Sequence, residues 1–218
     1  MTTLAIDIVS DVVCPWCFVG KRRLARALVL LRAERPELAV SVRWLPFFLN
    51  PGTPPEGEPY RPFLEKKFGG PAAVEALWGR VRAAARSVDL ELAFEKISVR
   101  ANTLQAHRLL HWAQRQGDAD ALVERLFAAH FHNGEHVGDP ATLQRIAVEC
   151  GYPAAAVAAY LASDADAEEV RALERRGRES GVSSVPTFVF GGKDALSGAE
   201  TPELLADAIR RHLDNGAG

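Results

Sequence analysis

The 218-residue chain has three cysteines, one methionine and no apolar run long enough to cross a bilayer. Three cysteines cannot form a fully paired disulfide scaffold, and a chain of this length buries a core without such staples. Formal net charge is −2, so no bulk field draws the protein to nucleic acid or to an anionic membrane. The start "MTTLAIDIVSD" lacks a basic stretch followed by a long apolar core. It reads as a strand rather than a signal peptide, and the expected compartment is the cytoplasm. Internal repeats and low-complexity tracts are also absent.

What is present is a pair. "DVVCPWCFVG" places Cys14 and Cys17 two residues apart, with Pro15 and Trp16 between them and a helical run, "KRRLARALVLLRA", directly after. Structural disulfides are rare in the cytosol, so the pair calls for a chemical explanation.

The organisation of the chain narrows that explanation. Alternation in "LAIDIVSD" predicts a strand over 4–9. Pro15 suits the first turn of a helix that runs to about Glu34. "LAVSVRWLPF" predicts a second strand over 39–45, which makes a parallel βαβ unit. "NPGTPPEGEPYRP" is too rich in Pro and Gly for regular structure. From 62 to about 177 the pattern is helical. One helix there, "ANTLQAHRLLHWAQRQG", is expected to be capped by Asn102 or Thr103 and to stop at Gly117. "VPTFVFGGKDALSG" reads as a hairpin. "TPELLADAIRRHLDNG" reads as a final helix, capped by Thr201 with Pro202 in its first turn. The order βαβ, helical block, ββα predicts an α/β fold carrying an all-helical insertion. The α/β part spans 1–61 and 177–218, and the insertion spans 62–176.

Three readings of Cys14 and Cys17 compete. With His107 and His111 they supply the ligand types of a Cys2His2 zinc site, but 90 residues separate Cys17 from His107, against roughly 12–15 in compact zinc modules. Two inert core thiols are the second reading; that suits Cys150, at the end of an amphipathic helix, better than a strand-to-helix junction. The third is redox. Free N–H groups and the macrodipole stabilise a thiolate at a helix N-terminus. Cys14, before the helix, is expected to expose its sulfur, and Cys17, one turn inward, to be shielded. Residues three apart share a helix face, so the two sulfurs can meet. C-x-x-C opening the helix of a βαβ unit favours the redox reading. Pro186, at the start of a strand in the other half of the chain, is then expected to follow a cis bond.

Together "DVVCPWCFVG", "ANTLQAHRLL" and "GVSSVPTFVFGGKDALSGAET", with "WLPFFLNPGTPPEG" after the second strand, resemble the FrnE-like branch of the DsbA family of thiol–disulfide oxidoreductases. The resemblance covers nearly the whole chain and implies a thioredoxin-like fold with an all-helical insertion domain. It implies that Cys14 is the nucleophile, Cys17 the resolving thiol and Pro186 the cis-proline beside them. Val185 would pair with an extended substrate. Segment 102–108, with His107, is similar to a stretch in relatives that bind glutathione or small aromatic acids. Those relatives, kappa-class glutathione transferases and 2-hydroxychromene-2-carboxylate isomerases, usually carry Ser where Cys14 stands. Periplasmic DsbA proteins often have a histidine where Pro15-Trp16 stands, and that dipeptide tunes redox poise. The implied function is a cytoplasmic dithiol–disulfide oxidoreductase; the alternatives are a glutathione-dependent isomerase or transferase, and a non-catalytic holdase. No cofactor is expected beyond the Cys14–Cys17 disulfide, with glutathione as a reductant or ligand. Expected partners are disulfide-containing proteins or small thiols, and the expected state is a monomer or homodimer.

Other residues bear on the site. Asp7 and Asp11 are acids near the pair, and a buried one would take a proton from Cys17. Lys21, Arg22 and Arg23 are either a solvated helix face or a basic patch. His130, His132 and His136 cluster near a helix end, with Glu135 and Asp139 as further ligands were a metal to bind. Trp16 and Phe18 are expected to rim Cys14 with apolar surface.

Overall fold

A computed structural model describes residues 3–215. In chain order its elements are β1 (Thr3–Ser10), α1 (Pro15–Glu34), β2 (Ala39–Pro46), β3 (Glu58–Pro59), α2 (Tyr60–Phe68) and α3 (Pro71–Arg86). A 3₁₀ turn at Phe94–Lys96 precedes β4 (Val99–Arg100). Then come α4 (Leu104–Gln114), α5 (Asp120–Asn133), α6 (Pro140–Glu149), α7 (Ala154–Ala162), α8 (Ala167–Glu179), β5 (Thr187–Phe190), β6 (Asp194–Ser197) and α9 (Pro202–Asn215).

The main sheet has the order β2-β1-β5-β6. β1 pairs with β2 in parallel, Ile8 opposite Trp44, and antiparallel with β5, Ile8 opposite Phe188. β6 returns antiparallel on β5. The βαβ and ββα halves predicted from pattern therefore meet where β1 pairs with β5, the two inner strands of the sheet. Leu4, Ile6 and Ile8 are almost completely buried, as a central strand requires.

The helices α2 to α8 lie between β2 and β5 in sequence, as the helical block predicts. Local signals account for their ends. Asp139 accepts a hydrogen bond from Thr142 N at the start of α6. Thr201 Oγ1 accepts from Leu204 N at 3.3 Å at the start of α9, with Pro202 in the first turn. Three expectations change. The Pro/Gly-rich segment carries β3, which pairs with β4 in a two-stranded ribbon. α4 stops at Gln114, three residues before Gly117, with Arg115 as its cap. Thr103 occupies the cap position of α4, yet the side chain that accepts from Leu104 N, at 3.0 Å, is Asn102.

One contiguous apolar core runs from the sheet into the helices. Phe18 of α1 stacks on Phe127 of α5, centroids 5.0 Å apart, and Trp44 of β2 meets Phe127 edge-on. Phe18 is thus part of the core, completely buried, and not the rim expected for Cys14. A residue one position beyond Cys17 on α1 has rotated away from the helix end and into the space beneath it.

Candidate active site

The site begins where β1 ends. Asp11 O accepts from Cys14 N at 3.0 Å, which turns the chain into α1. Cys14 is the N-cap of α1 in an extended conformation, and Pro15 stands at N1. Cys14 O accepts from Cys17 N at 3.0 Å, closing the first helical turn. Cys14 therefore sits where the free N–H groups of a 20-residue helix converge.

The second half of the chain closes over this point. The Val185–Pro186 bond is cis, as expected. The Cys14 thiol contacts Val185 O at 3.8 Å across 171 residues of sequence. Pro186 packs on α1 at Gly20, where an added Cβ would lie 2.8 Å from Pro186 Cγ. A mid-helix glycine carries a propensity cost of about 1 kcal/mol. Here that cost accompanies a close approach no other residue allows, and it was the one sequence signal for Gly20 as a site residue.

Cys17 lies behind Cys14 and is 1% exposed. Burial pushes its thiol well above the ordinary cysteine value, and the neighbouring Cys14 adds to that shift. The Ser10 hydroxyl and the Asp11 backbone N–H oppose it by hydrogen bonding to the sulfur. Cys14 departs from expectation: at 4% exposure its sulfur is covered, not open. The cause is the close approach of the Val185–Pro186 segment, which pattern reading cannot place against the helix. Trp16 is partly buried against the core at the same helix end. Tyr60, at the start of α2, is near enough to feel the charge of Cys14; burial pushes its hydroxyl up to about 12.

The other candidates separate. Asp11 is 1% exposed, and its Oδ2 accepts from Leu49 N at 2.8 Å. Its Oδ1 lies 3.3 Å from Nε2 of His107, which is 5% exposed, so two residues weighed apart in sequence meet beside the pair. Asp7 instead forms a surface ion pair with Arg43, at 2.6 and 2.8 Å. Lys21 is buried and bridges Asp120 at 2.9 Å and Glu124 at 3.0 Å. Arg22 joins Glu124, and Arg23 donates to Ala199 O. All three fasten α1 to its neighbours; Lys21 is buried, while the Arg22 side chain stays 42% exposed, so they form no open patch. Glu135 is held by Arg125 and Arg145, and Asp139 caps α6, so neither is free beside the histidines. Among the described residues no group of three or more His, Cys, Asp or Glu side chains is arranged to hold a metal. Cys150 is half-buried and far from the pair in sequence and fold, on the α6 side.

Residues 5–210 match the sequence profile of the DSBA-like thioredoxin domain. The chain belongs to the DSBA-like thioredoxin domain family. Its structure is similar to that of the probable DsbA oxidoreductase SCO1869 from Streptomyces coelicolor, at 32% identity and a TM-score of 0.85, over 97% of this chain and 90% of that one. It is 27% identical to the uncharacterized protein YwbO of Bacillus subtilis over 95% of this chain and 96% of that one. A 2-hydroxychromene-2-carboxylate isomerase shares the fold at 18% identity and a TM-score of 0.62, over 98% of both chains. Within this DSBA-like fold, Ser10, Gly20 and Tyr60 are the neighbours of the pair that pattern reading missed. Ser10 and Tyr60 carried no signal, because only the fold brings the end of β1 and the start of α2 to the side of the thiols.

Proposed function

We propose that this protein is a cytoplasmic thiol–disulfide oxidoreductase that cycles Cys14 and Cys17 between dithiol and disulfide. The observation that carries the reading is the Cys14 thiol at the N-terminus of α1, 3.8 Å from Val185 O beside cis-Pro186. A thiolate at that place is a nucleophile supported by helix N–H groups and needs no cofactor.

In the reductive direction the Cys14 thiolate attacks one sulfur of a substrate disulfide. The substrate S–S bond breaks, one substrate sulfur leaves as thiolate, and a Cys14–substrate mixed disulfide forms. The Cys17 thiolate then attacks Cys14 Sγ, releasing the second substrate sulfur and forming the Cys14–Cys17 bond. The substrate gains two electrons and the pair loses two. Two molecules of a small thiol such as glutathione return the pair to the dithiol and leave joined as their own disulfide; run backwards, the sequence donates a disulfide. Val185, adjoining Cys14, offers backbone to an extended substrate, a form of strand addition. Trp16 supplies apolar surface at the same edge.

The fold itself is shared with an isomerase, so it does not choose between the chemistries. The choice rests on two thiols at 14 and 17. Cys14→Ser is expected to abolish disulfide exchange on a model disulfide protein while leaving the fold intact. Exchange at the unaltered rate would overturn the reading.

A further inference from the structure

Cys17 must lose a proton to resolve a mixed disulfide, yet it is 1% exposed and its thiol is pushed up by burial. Bulk water does not reach it, so the acceptor is internal. Ser10, 4% exposed, ends β1 beside the thiol pair, and its hydroxyl works against the upward push on the Cys17 thiol. The same Ser10 lines a narrow space of about 10 Å³ together with His107, His111 and Trp44. That is the room one water occupies. Across it stands His107, whose Nε2 faces Asp11 Oδ1 at 3.3 Å, at an angle that leaves both atoms without a formed hydrogen bond. Two unpartnered, fully covered polar atoms are costly unless they have work to do.

We propose that His107, oriented by Asp11, receives the Cys17 proton through the Ser10 hydroxyl and one water during the resolving step. Ser10 passes its own hydroxyl proton to the water as it takes the one from Cys17, and the water passes one to His107. The Cys17 thiolate attacks Cys14 Sγ, and the substrate sulfur leaves as thiolate. The imidazolium then stands against the Asp11 carboxylate and returns its proton outward past His111, which is half-buried at the far side of the space. In this relay Ser10 is the group next to the reacting sulfur; His107 and Asp11 are positioning residues that act through it. The ionisable groups around His107 are Asp11 from the β1–α1 junction and His111 of α4. His130 of α5 feels the Asp11 charge from farther off, and Glu174 of α8 is turned to Phe48 N and Arg178.

This inference rests on the thiol–disulfide reading, and the experiment separates the two. Wild type, His107→Gln and Ser10→Ala are mixed with glutathione disulfide, acid-quenched, and followed by mass spectrometry from pH 5.5 to 9. Formation of the Cys14–glutathione adduct and its collapse to the Cys14–Cys17 bond are timed separately. Adduct formation is expected at the wild-type rate. Collapse is expected to slow about 100-fold near neutral pH in both variants, the low end for loss of a proton acceptor, and to recover as hydroxide rises. Ser10→Ala carries the test should His107→Gln not fold. Collapse at wild-type rate and pH profile overturns the relay alone. Formation of neither the adduct nor the Cys14–Cys17 disulfide in the wild type overturns the functional reading beneath it.

Discussion

Cys14 and Cys17 differ by one turn of helix, and the environment divides their labour. Cys14 faces the seam where Val185 closes on α1; Cys17 faces the end of β1. Neither environment follows from residue type. His130 shows the same dependence in a residue that takes no part in the exchange steps. It is 1% exposed, packed edge-on to Tyr60 and Phe131, and burial holds its imidazole down at about 4 against an ordinary 6.5. The groups that face it are Asp11, the Glu135 backbone and His136, and burial outweighs them all. Below pH 6.5 the unfolded chain takes up a proton that the folded one refuses until about pH 4. Stability therefore falls as pH drops through that window, by about 3 kcal/mol for this group, and the loss ends below pH 4. Urea titrations at pH 4.5–6.5 are expected to show a slope about one proton shallower in His130→Phe. An unchanged slope would mean that His130 is not held neutral.

At the scale of elements, β2 is an edge strand, and edges left open invite pairing with other chains. Part of this edge is closed from within. Gln114, the last residue of α4, accepts from Trp44 N at 2.6 Å and donates to Trp44 O at 3.1 Å. One side-chain amide thus imitates a neighbouring strand for one residue. The same contact fixes α4, and with it His107, against the sheet beside the thiols. Gln114→Leu leaves a buried backbone N–H and C=O of Trp44 unpaired. It is expected to lower stability by about 1–3 kcal/mol. Hydrogen exchange should show the Trp44 amide opening faster than its neighbours on β2; protection equal to wild type would contradict the pairing.

At the scale of the molecule, the sequence is interrupted and the core is not. Residues from both parts of the predicted α/β unit and from the helical block bury one another in a single cluster. α1 is the junction. Phe18 stacks on α5, Lys21 bridges to α5, Arg26 reaches Asp89 beyond α3, and Arg35 at its far end pairs with Asp214 of α9. A helix that carries the active pair and is held on all these sides has no independent way to unfold. Calorimetry is therefore expected to give one transition with equal calorimetric and van't Hoff enthalpies. Two separated transitions would show that the stretch 62–176 folds as a domain of its own.

The sequence alone determined the order βαβ, helical block, ββα, the helix start at Pro15, the dithiol spacing and the cis bond expected before Pro186. Each of these rests on local chemistry: a proline's fixed φ, the period of apolar residues, two thiols one turn apart. It also held a trace of Gly20, as a glycine where a helix disfavours one. What only the tertiary structure decided is who stands beside the thiols. Val185 covers Cys14, Ser10 ends β1 beside the pair, Asp11 meets His107 across 96 residues, and Lys21 turns inward to α5. Those pairings span long stretches of chain. They are set by how two halves of a sheet and an inserted set of helices share one core, and no local pattern encodes that.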